Sequence, residues 1–155
     1  MNAPATLAVR RATAGDIEAM VRLEADFPSD RLDQRHLRHL LVRANADVFV
    51  LDSAGAAIAN AITLYRQGSR SARLYSLAVA PVHRGRGLGA VLLAAAETAA
   101  RHRGCERIVL EVRPDNAAAL RLYARRGYVV TETRKEFYED GSEALRLAKG
   151  LSATV

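Results

Sequence analysis

A change of pattern at residues 83–90, HRGRGLGA, constrains the fold of this chain more than any other feature. Before this segment, Arg73–Val79 has the composition of a strand. After it, apolar residues recur at helical spacing up to Gly104, namely Leu88, Val91, Leu92, Ala95 and Ala99. The β-rich run Arg107–Val112 follows, so a helix joins two strands that should be parallel. This succession predicts an α/β fold with a mixed sheet.

The rest of the chain supplies further strands and helices. Strands are predicted at Leu7–Ala12, Asp47–Asp52, Ala56–Tyr65, Val129–Phe137 and Ala144–Ala148. A helix with capping-box spacing at Thr13 and Asp16 precedes a break at Pro28, and a second helix carries Leu37, Leu40, Leu41 and Ala44. A later helix, capped by Asp115 or Asn116, carries Ala119, Leu122 and Tyr123 and stops at Gly127. The predicted order is β-α-α-β-β-β-α-β-α-β-β.

Composition limits the class of protein. The chain has 155 residues, 50% apolar and 26% charged, so we expect a single soluble domain over residues 1–155. The longest apolar run, Leu88–Ala96, is too short to cross a bilayer, and MNAPATLAVRR lacks the apolar stretch of a signal peptide. Cys105 is the single cysteine, and no Cys/His spacing suits a metal. We therefore expect a cytoplasmic protein without a metal or membrane partner.

The net charge of +6 invites a nucleic-acid interpretation, which the distribution of charge does not favour. Arginines are spread along the chain among acidic residues instead of forming a run. Aromatic residues for base stacking make up 5% of the chain, and tryptophan is absent. We expect no direct nucleic-acid partner; a basic surface equally suits a polyanionic small ligand or attraction to the ribosome.

The glycine-rich segment fits two phosphate-binding designs. Gly85-x-Gly87-x-x-Ala90, with Glu111 about 20 residues further on, fits a dinucleotide-binding fingerprint. That fingerprint needs its first glycine almost at the end of a strand, whereas Ala80–Arg84, including a proline, intervene here. The dinucleotide interpretation is therefore rejected.

The second design is the pattern [R/Q]-x-x-G-x-[G/A], which Arg84–Gly89 matches at the start of a long helix. The first N–H groups of a helix have no intrahelical partner, and glycines let a pyrophosphate approach them closely. The motif alone leaves two alternatives open, a pyrophosphate loop and a glycine-rich connection with solvated arginines.

Five features in order resemble the Gcn5-related N-acetyltransferase (GNAT) family. They are the strand Leu74–Val79, the loop Arg84–Gly89, the LEV at Leu110–Val112, the asparagine of RPDN (Asn116), and an LY…GY signature at Leu122, Tyr123, Gly127 and Tyr128. The resemblance implies a mixed central sheet flanked by helices on both faces. The match is closest to the ribosomal-protein alanine N-acetyltransferases, through LEVRPDNAAALRLYARRGY and EFYEDG. The chain departs at Asn60, where many relatives have glycine, and at Phe137-Tyr138, where the alanine N-acetyltransferases commonly have two tyrosines.

The resemblance implies transfer of an acetyl group from acetyl-CoA to an amine. The resemblance assigns the role of general base to Glu111 and the role of general acid to Tyr123. The alternative for Glu111 is a strand carboxylate paired with Arg113. The alternative for Tyr123 is a core residue. The resemblance assigns acetyl-CoA binding to Leu77, Ala78, Val79, Arg84, Gly85, Arg86, Gly87, Leu88, Gly89, Ala90, Asn116 and Tyr123. Asn116 either contacts the pantetheine arm or only caps its helix. The four histidines, His36, His39, His83 and His102, show no partner in the sequence and are left unassigned.

The acceptor implied by the resemblance is the N-terminal α-amine of a ribosomal or other cytosolic protein. Glu136, Glu139 and Asp140 flank Tyr138 and would attract a cationic peptide, or they form a solvated turn. Two alternatives stay open: a small-molecule amine acceptor, and an acetyl-CoA sensor without turnover.

Overall fold

A computed structural model describes residues 6–25 and 32–152, and in these the predicted order of strands and helices is confirmed. The break predicted at Pro28 lies outside the described residues. The strands are β1 (Leu7–Arg11), β2 (Ala46–Ser53), β3 (Ala56–Leu64), β4 (Ser71–Val79), β5 (Arg107–Val112), β6 (Val129–Arg134) and β7 (Ala144–Gly150). The helices are α1 (Ile17–Glu24), α2 (Gln34–Val42), α3 (Leu88–His102) and α4 (Ala117–Arg125). Short 3-10 turns at Ala14–Asp16 and Pro81–His83 precede α1 and α3.

The strands form one mixed sheet in the order β1-β2-β3-β4-β5-β7-β6. The parallel pairing predicted for the strands that α3 joins is confirmed between β4 and β5. The strands joined by α4 are not neighbours, because β7 lies between β5 and β6 and runs antiparallel to both. The mixed character of the sheet thus comes from one parallel pair among antiparallel ones.

The parallel pair is short. It joins Ser71 to Arg107, Ala72 to Ile108 and Arg73 to Val109, and no pairing between β4 and β5 continues beyond these residues. On their outer sides, β4 stays paired with β3 up to Val79 and β5 stays paired with β7 up to Val112. The two strands therefore separate, and a cleft opens between Leu74–Val79 and Leu110–Val112.

Helices cover both faces of the sheet, as the family resemblance implied. The larger core lies under α3 and α4 and contains Leu92 and Leu93 from α3 with Ile108, Leu110 and Val112 from β5. A second core lies under α1 and α2, with Met20, Leu37 and Ile62 among its members. Since strand side chains alternate between faces, Glu111 points to the α1 side, opposite its neighbours on β5.

The strand predicted at Val129–Phe137 ends earlier, at Arg134. The backbone turns at Glu136, whose φ is 51°, and the N–H groups of Phe137 and Tyr138 both donate to the carbonyl of Ser142. These bonds close the β6–β7 loop on itself and replace the ladder that a longer strand would have formed.

A buried ionic cluster ties α3 to the C-terminal half of the sheet. Glu97 is 2% exposed, and it accepts hydrogen bonds from the Tyr128 hydroxyl at 2.8 Å and from the Lys149 ammonium at 3.1 Å. Arg126 adds a third donor at 3.3 Å. Because Arg126 and Tyr128 both follow α4, Glu97 holds this region against α3. Removing one partner from such a cluster leaves the charge of the others without compensation.

We expect Glu97→Gln to destabilise the fold by about 3 kcal/mol, at the low end for a buried ion pair because the two cations keep some solvent contact. Urea unfolding monitored by circular dichroism measures this change. The control is Glu106→Gln, since Glu106 pairs with Arg70 on the surface and such pairs contribute little. Equal effects of the two substitutions would contradict a stabilising role for the cluster.

Candidate active site

The glycine-rich loop lies at one end of the cleft and opens α3. Gly85 and Gly87 have φ values of 78° and 77°, and an added Cβ would meet no atom within 4 Å at either residue. Glycine is required there by backbone conformation and not by packing. The first helical bond runs from the Val91 N–H to the Gly87 carbonyl, so the N–H groups of residues 88–90 are available to an anion.

Gly89 is a glycine for a different reason. A Cβ at this position would lie 3.2 Å from Cδ2 of Leu122 on α4, and 3.9 Å from side-chain atoms of Leu77 and Val79 on β4. The missing side chain therefore lets α3 approach α4 and β4 closely. The family resemblance assigned Gly89 to acetyl-CoA binding, and the structure adds this packing contact.

The loop is tied back to the strand that lines the cleft. The Arg84 Nε donates to the carbonyl of Val79 at 3.1 Å, and Nη1 of Arg86 lies 2.9 Å from Nδ1 of His83. Leu77–Val79 belong to the part of β4 that has no partner on the β5 side. An extended ligand arm could pair with this backbone as an added strand would.

Tyr123 lies on α4 among core residues. This position agrees with its interpretation as a core residue and does not contradict the role of general acid that the resemblance assigns. Its ring packs edge-to-face on Tyr128 with centroids 5.4 Å apart, and burial raises the pKa of its hydroxyl above the ordinary value. The phenol therefore stays protonated at neutral pH. Asn116 caps the same helix, since its Oδ1 accepts from the Ala119 N–H at 3.1 Å.

The ion-pair partners of Glu111 are Arg73 and Arg146, and not Arg113, the partner named in the alternative to its role as base. Its carboxylate, with a side chain 4% exposed, lies 2.7 Å from Nη2 of Arg73 and 3.1 Å from Nε of Arg146. Arg146 faces Glu111 across the β5–β7 ladder, and Arg73 is the last residue of β4 paired with β5. These partners come from strands distant in sequence, and local spacing could not identify them.

Arg113 instead organises the β6–β7 loop. It donates to Oδ2 of Asp140 at 3.1 Å and to the Ser142 hydroxyl, and its guanidinium lies 4.1 Å from the ring centroid of Tyr138. The Ser142 hydroxyl and backbone N–H, together with Arg113, lower the pKa of Asp140 to about 2. The EFYEDG segment is thus held in place with Asp140 ionised and paired.

A second carboxylate on the α1 side of the sheet was missed by the sequence analysis. Glu24 is 2% exposed, and its Oε1 accepts from the Ser76 hydroxyl at 2.6 Å and from Nδ2 of Asn60 at 3.1 Å. Burial raises its pKa, against the effect of these two hydrogen bonds. The signal was present, because Glu24 continues the apolar stripe of Ile17 and Met20 on α1 at i+7 and i+4.

Across residues 6–25 and 32–152, no group of three or more His, Cys, Asp or Glu side chains could hold a metal ion. In the described part of the chain, no helix has the length and apolarity needed to cross a membrane. The sequence showed no partner for the histidines, but Nδ1 of His36 lies 2.8 Å from the Asp33 carboxylate at the start of α2.

A cleft between diverging parallel strands, with an anion loop at its end and a protonated tyrosine on the neighbouring helix, suits an acyl transfer from a phosphate-bearing donor. Residues 16–128 match the Acetyltransferase (GNAT) family, which is well over half of the chain. The chain belongs to this family.

Relatives within the family carry different names. The chain is 37% identical over 71 residues to the N-alpha-acetyltransferase MAK3 of Arabidopsis thaliana, covering 46% of this chain and 37% of MAK3, so the match spans less than half of that relative. It is 29% identical over 148 residues to the Arabidopsis N-terminal acetyltransferase A complex catalytic subunit NAA10, covering 92% of this chain and 77% of NAA10. It is 32% identical to the streptothricin acetyltransferase of Streptomyces lavendulae, covering 68% of this chain and 58% of that enzyme.

Solved structures show the same fold along nearly the whole chain. Ard1 from Thermoplasma volcanium superposes with a TM-score of 0.85 at 26% identity, covering 94% of this chain and 98% of Ard1. The ribosomal-protein-S18-alanine N-acetyltransferase from Escherichia coli superposes with a TM-score of 0.83 at 26% identity, covering 97% of each chain.

Proposed function

We propose that this protein is a single-domain N-acetyltransferase that transfers the acetyl group of acetyl-CoA to the N-terminal α-amine of a protein. The observation that carries the proposal is the cleft between β4 and β5. The glycine-rich loop lies at one end of this cleft, and α4, which carries Tyr123, packs through Leu122 near Gly89. The names of the N-alpha-acetyltransferase relatives and of the S18-alanine enzyme support the acceptor class.

The donor side of the site suits acetyl-CoA. Positive φ at Gly85 and Gly87 exposes the N–H groups at the start of α3, which would bind the pyrophosphate. The amide groups of the pantetheine arm would pair with the free edge of Leu77–Val79, and one N–H there would stabilise the tetrahedral oxyanion. Asn116 lies at the start of α4 and supports that arm in addition to capping the helix.

Tyr123 is proposed to donate a proton to the departing CoA sulfur. A buried phenol with a raised pKa holds its proton at neutral pH and is available as the thiolate forms. Glu111 is the base that the family resemblance assigns, acting through water, and this role stays a prediction. The transfer itself does not depend on which carboxylate accepts the proton from the amine.

An α-amine acceptor suits proton removal at neutral pH, because its pKa of roughly 8 is lower than the value of about 10.4 for lysine. The β6–β7 loop, which Arg113 holds through Asp140 and Tyr138, is the proposed wall of the acceptor groove. Since Asp140 is paired with Arg113, attraction of a cationic peptide would come chiefly from the exposed Glu136 and Glu139. Such an acceptor is consistent with a cytoplasmic location and with a ribosomal or other cytosolic partner.

A small-molecule amine is the second candidate acceptor. The likeness to streptothricin acetyltransferase over 68% of this chain favours it. The two candidates share the donor half of the site and differ only in the acceptor groove, so experiments must address each half separately.

Acetyl-CoA is expected to raise the melting temperature of the wild type, and NAD is not, because a ligand that binds only the folded state stabilises it. Gly87→Leu should abolish this shift by blocking the loop. Gly68→Leu is a matched control, since Gly68 has a φ of 80° and equally open surroundings in a turn outside the site. Both variants should lose about 1–2 kcal/mol of stability through left-handed backbone strain. A larger shift with NAD would contradict the acetyl-CoA assignment.

Tyr123→Phe should lower turnover by roughly 10²–10⁴, the usual effect of losing an acid–base group, with little change in acetyl-CoA affinity. Steady-state kinetics with saturating acetyl-CoA measure it. Tyr128→Phe is the control, because it keeps the ring contact with Tyr123 and loses only the hydroxyl bound to Glu97. The control should lose stability but retain turnover. Full activity of Tyr123→Phe would show that the tyrosine only packs.

A peptide panel that varies only the first two residues, assayed beside spermidine and free amino acids, tests the acceptor. Small N-terminal residues followed by a basic residue should give the highest kcat/KM, and added salt should lower it. Glu139→Lys should reduce kcat/KM for basic peptides, whereas Glu106→Lys, at a surface site near the start of β5, should not. If spermidine or an amino acid outpaces every peptide, the small-molecule alternative replaces the proposed acceptor.

A further inference from the structure

Two buried carboxylates lie along β4 on the α1 side of the sheet. Glu111 reaches β4 at Arg73, and Glu24 reaches it at Ser76. Arg73 points to this side because its neighbours Ala72 and Leu74 belong to the core under α3. Ser76 is paired with Ile62, a member of the core under α1 and α2. The family resemblance gave a role only to Glu111.

The partners of the two carboxylates differ in what they can do with a proton. Glu111 is bound by the guanidinium groups of Arg73 and Arg146, which donate hydrogen bonds and cannot accept them. Neither arginine offers an acceptor for a carboxyl proton, so both partners of Glu111 suit the carboxylate and not the neutral carboxyl group.

The partners of Glu24 suit both protonation states. The Ser76 hydroxyl donates to Oε1 of Glu24 and can equally accept from a carboxyl proton. The Asn60 amide donates through Nδ2, and its Oδ1, fully buried, has no hydrogen-bond partner within the described residues. A half-turn of this amide would present Oδ1 to a protonated Glu24. In either protonation state of Glu24, one atom of the Asn60 amide is unpaired, so Asn60 disfavours neither state.

The position of Glu24 in its helix adds to this difference. It is the last residue of α1, where the partial negative charge of the helix C-terminus disfavours an ionised carboxylate. The partner of Glu24 on β3 is Asn60, and its partner on β4 is Ser76. Helix α2 contributes the apolar residues Leu37 and Leu40 to the core on the same side. Among the described residues, no charged group contributes to the raised pKa of Glu24, which comes from burial.

We propose that Glu24 is the proton acceptor for the attacking amine, positioned by Ser76 and Asn60, and that Glu111 is a fixed charge that orders the acceptor side of the sheet. This inference rests on the proposed function. Ser76 directly precedes Leu77–Val79, the strand segment assigned to acetyl-CoA, so the Glu24 carboxylate is hydrogen-bonded to the residue that adjoins this segment.

The proposed step balances in protons and electrons. The acceptor ammonium gives one proton to the Glu24 carboxylate, directly or through a water molecule, and the freed lone pair forms the N–C bond to the thioester carbonyl. Collapse of the tetrahedral intermediate breaks the C–S bond, and the sulfur takes the bonding pair and a proton from Tyr123. The amide nitrogen loses its second proton to restore Tyr123, and Glu24 releases its proton to solvent.

The first test reads protonation without any acceptor. Infrared difference spectra of the free wild type, taken between acid and neutral pH, should contain the carbonyl band of a buried protonated carboxyl that titrates above the ordinary glutamate value of about 4.3. The band should be absent in Glu24→Gln and present in Glu111→Gln. A band that persists in Glu24→Gln, or that is lost only in Glu111→Gln, overturns the proposal.

Stability gives a second readout with a defined sign. A carboxyl whose pKa is raised by folding costs stability as the pH rises from its unfolded pKa to its folded pKa. Glu24→Gln removes this cost, and its amide can still accept from Ser76 and donate to Oδ1 of Asn60. Its melting temperature should therefore exceed that of the wild type at neutral pH, with the difference shrinking as the pH falls towards 4. A variant less stable than the wild type at neutral pH would indicate a merely structural carboxylate.

The kinetic test uses whichever amine the wild type acetylates fastest, so a wrong acceptor class does not affect it. Glu24→Gln should lower kcat/KM by roughly 10²–10⁴ and flatten the acidic limb of the pH profile, while the thermal shift with acetyl-CoA is kept. Ser76→Ala removes a donor to the ionised form and should move that limb to higher pH, and Ser76→Thr should restore it.

The outcomes separate this proposal from the proposed function. An active wild type with an equally active Glu24→Gln variant overturns the role of Glu24 and leaves the transferase intact. A wild type that acetylates no amine overturns the proposed function and, with it, the role of Glu24 in transfer. A loss of the acidic limb in Glu111→Gln but not in Glu24→Gln returns the base to Glu111.

Discussion

The site depends on the point where β4 and β5 stop pairing. Beyond Arg73 and Val109 each strand keeps its outer antiparallel neighbour and loses its inner one, so a row of backbone groups faces an open cleft. Backbone N–H and C=O groups require partners, and in this cleft only solvent or an extended ligand can supply them. A donor substrate with amide groups along its arm meets that requirement as an added strand would.

A ladder of alternating charges crosses the sheet beside the cleft. Arg73 on β4 binds Glu111 on β5, Glu111 binds Arg146 on β7, and Arg146 binds Glu132 on β6 at 3.1 Å. Each link joins a different pair of strands, and the Arg73–Glu111 link joins β4 to β5 at the point where their backbone pairing ends. The ladder thus ties β4 to the three C-terminal strands where the cleft begins.

Local patterns were enough to predict most of the elements. The strand Arg107–Val112 has the predicted bounds, and the helical stripe after Gly87 corresponds to α3, because both depend on neighbouring residues alone. The position of β7 between β5 and β6 was not predictable, since strand order is set by packing between distant segments. The same holds for the contact of Gly89 with Leu122 and for the arginines around Glu111. Glu24 was overlooked although its place on the apolar stripe of α1 is visible in the sequence; its partner Ser76, 52 residues further along the chain, is not predictable from local patterns.

The two halves of the site are held by different kinds of interaction. On the donor half, Tyr123 is fixed by the Asn116 cap, the edge-to-face contact with Tyr128 and the close approach of Leu122 to Gly89, which are all packing or backbone constraints. The β6–β7 loop, which is the proposed wall of the acceptor groove, is held by the charged and polar contacts of Arg113. Packing constraints tolerate few substitutions, whereas exposed polar contacts tolerate many. This asymmetry leads us to expect that substitutions accumulate more easily on the proposed acceptor half than on the donor half.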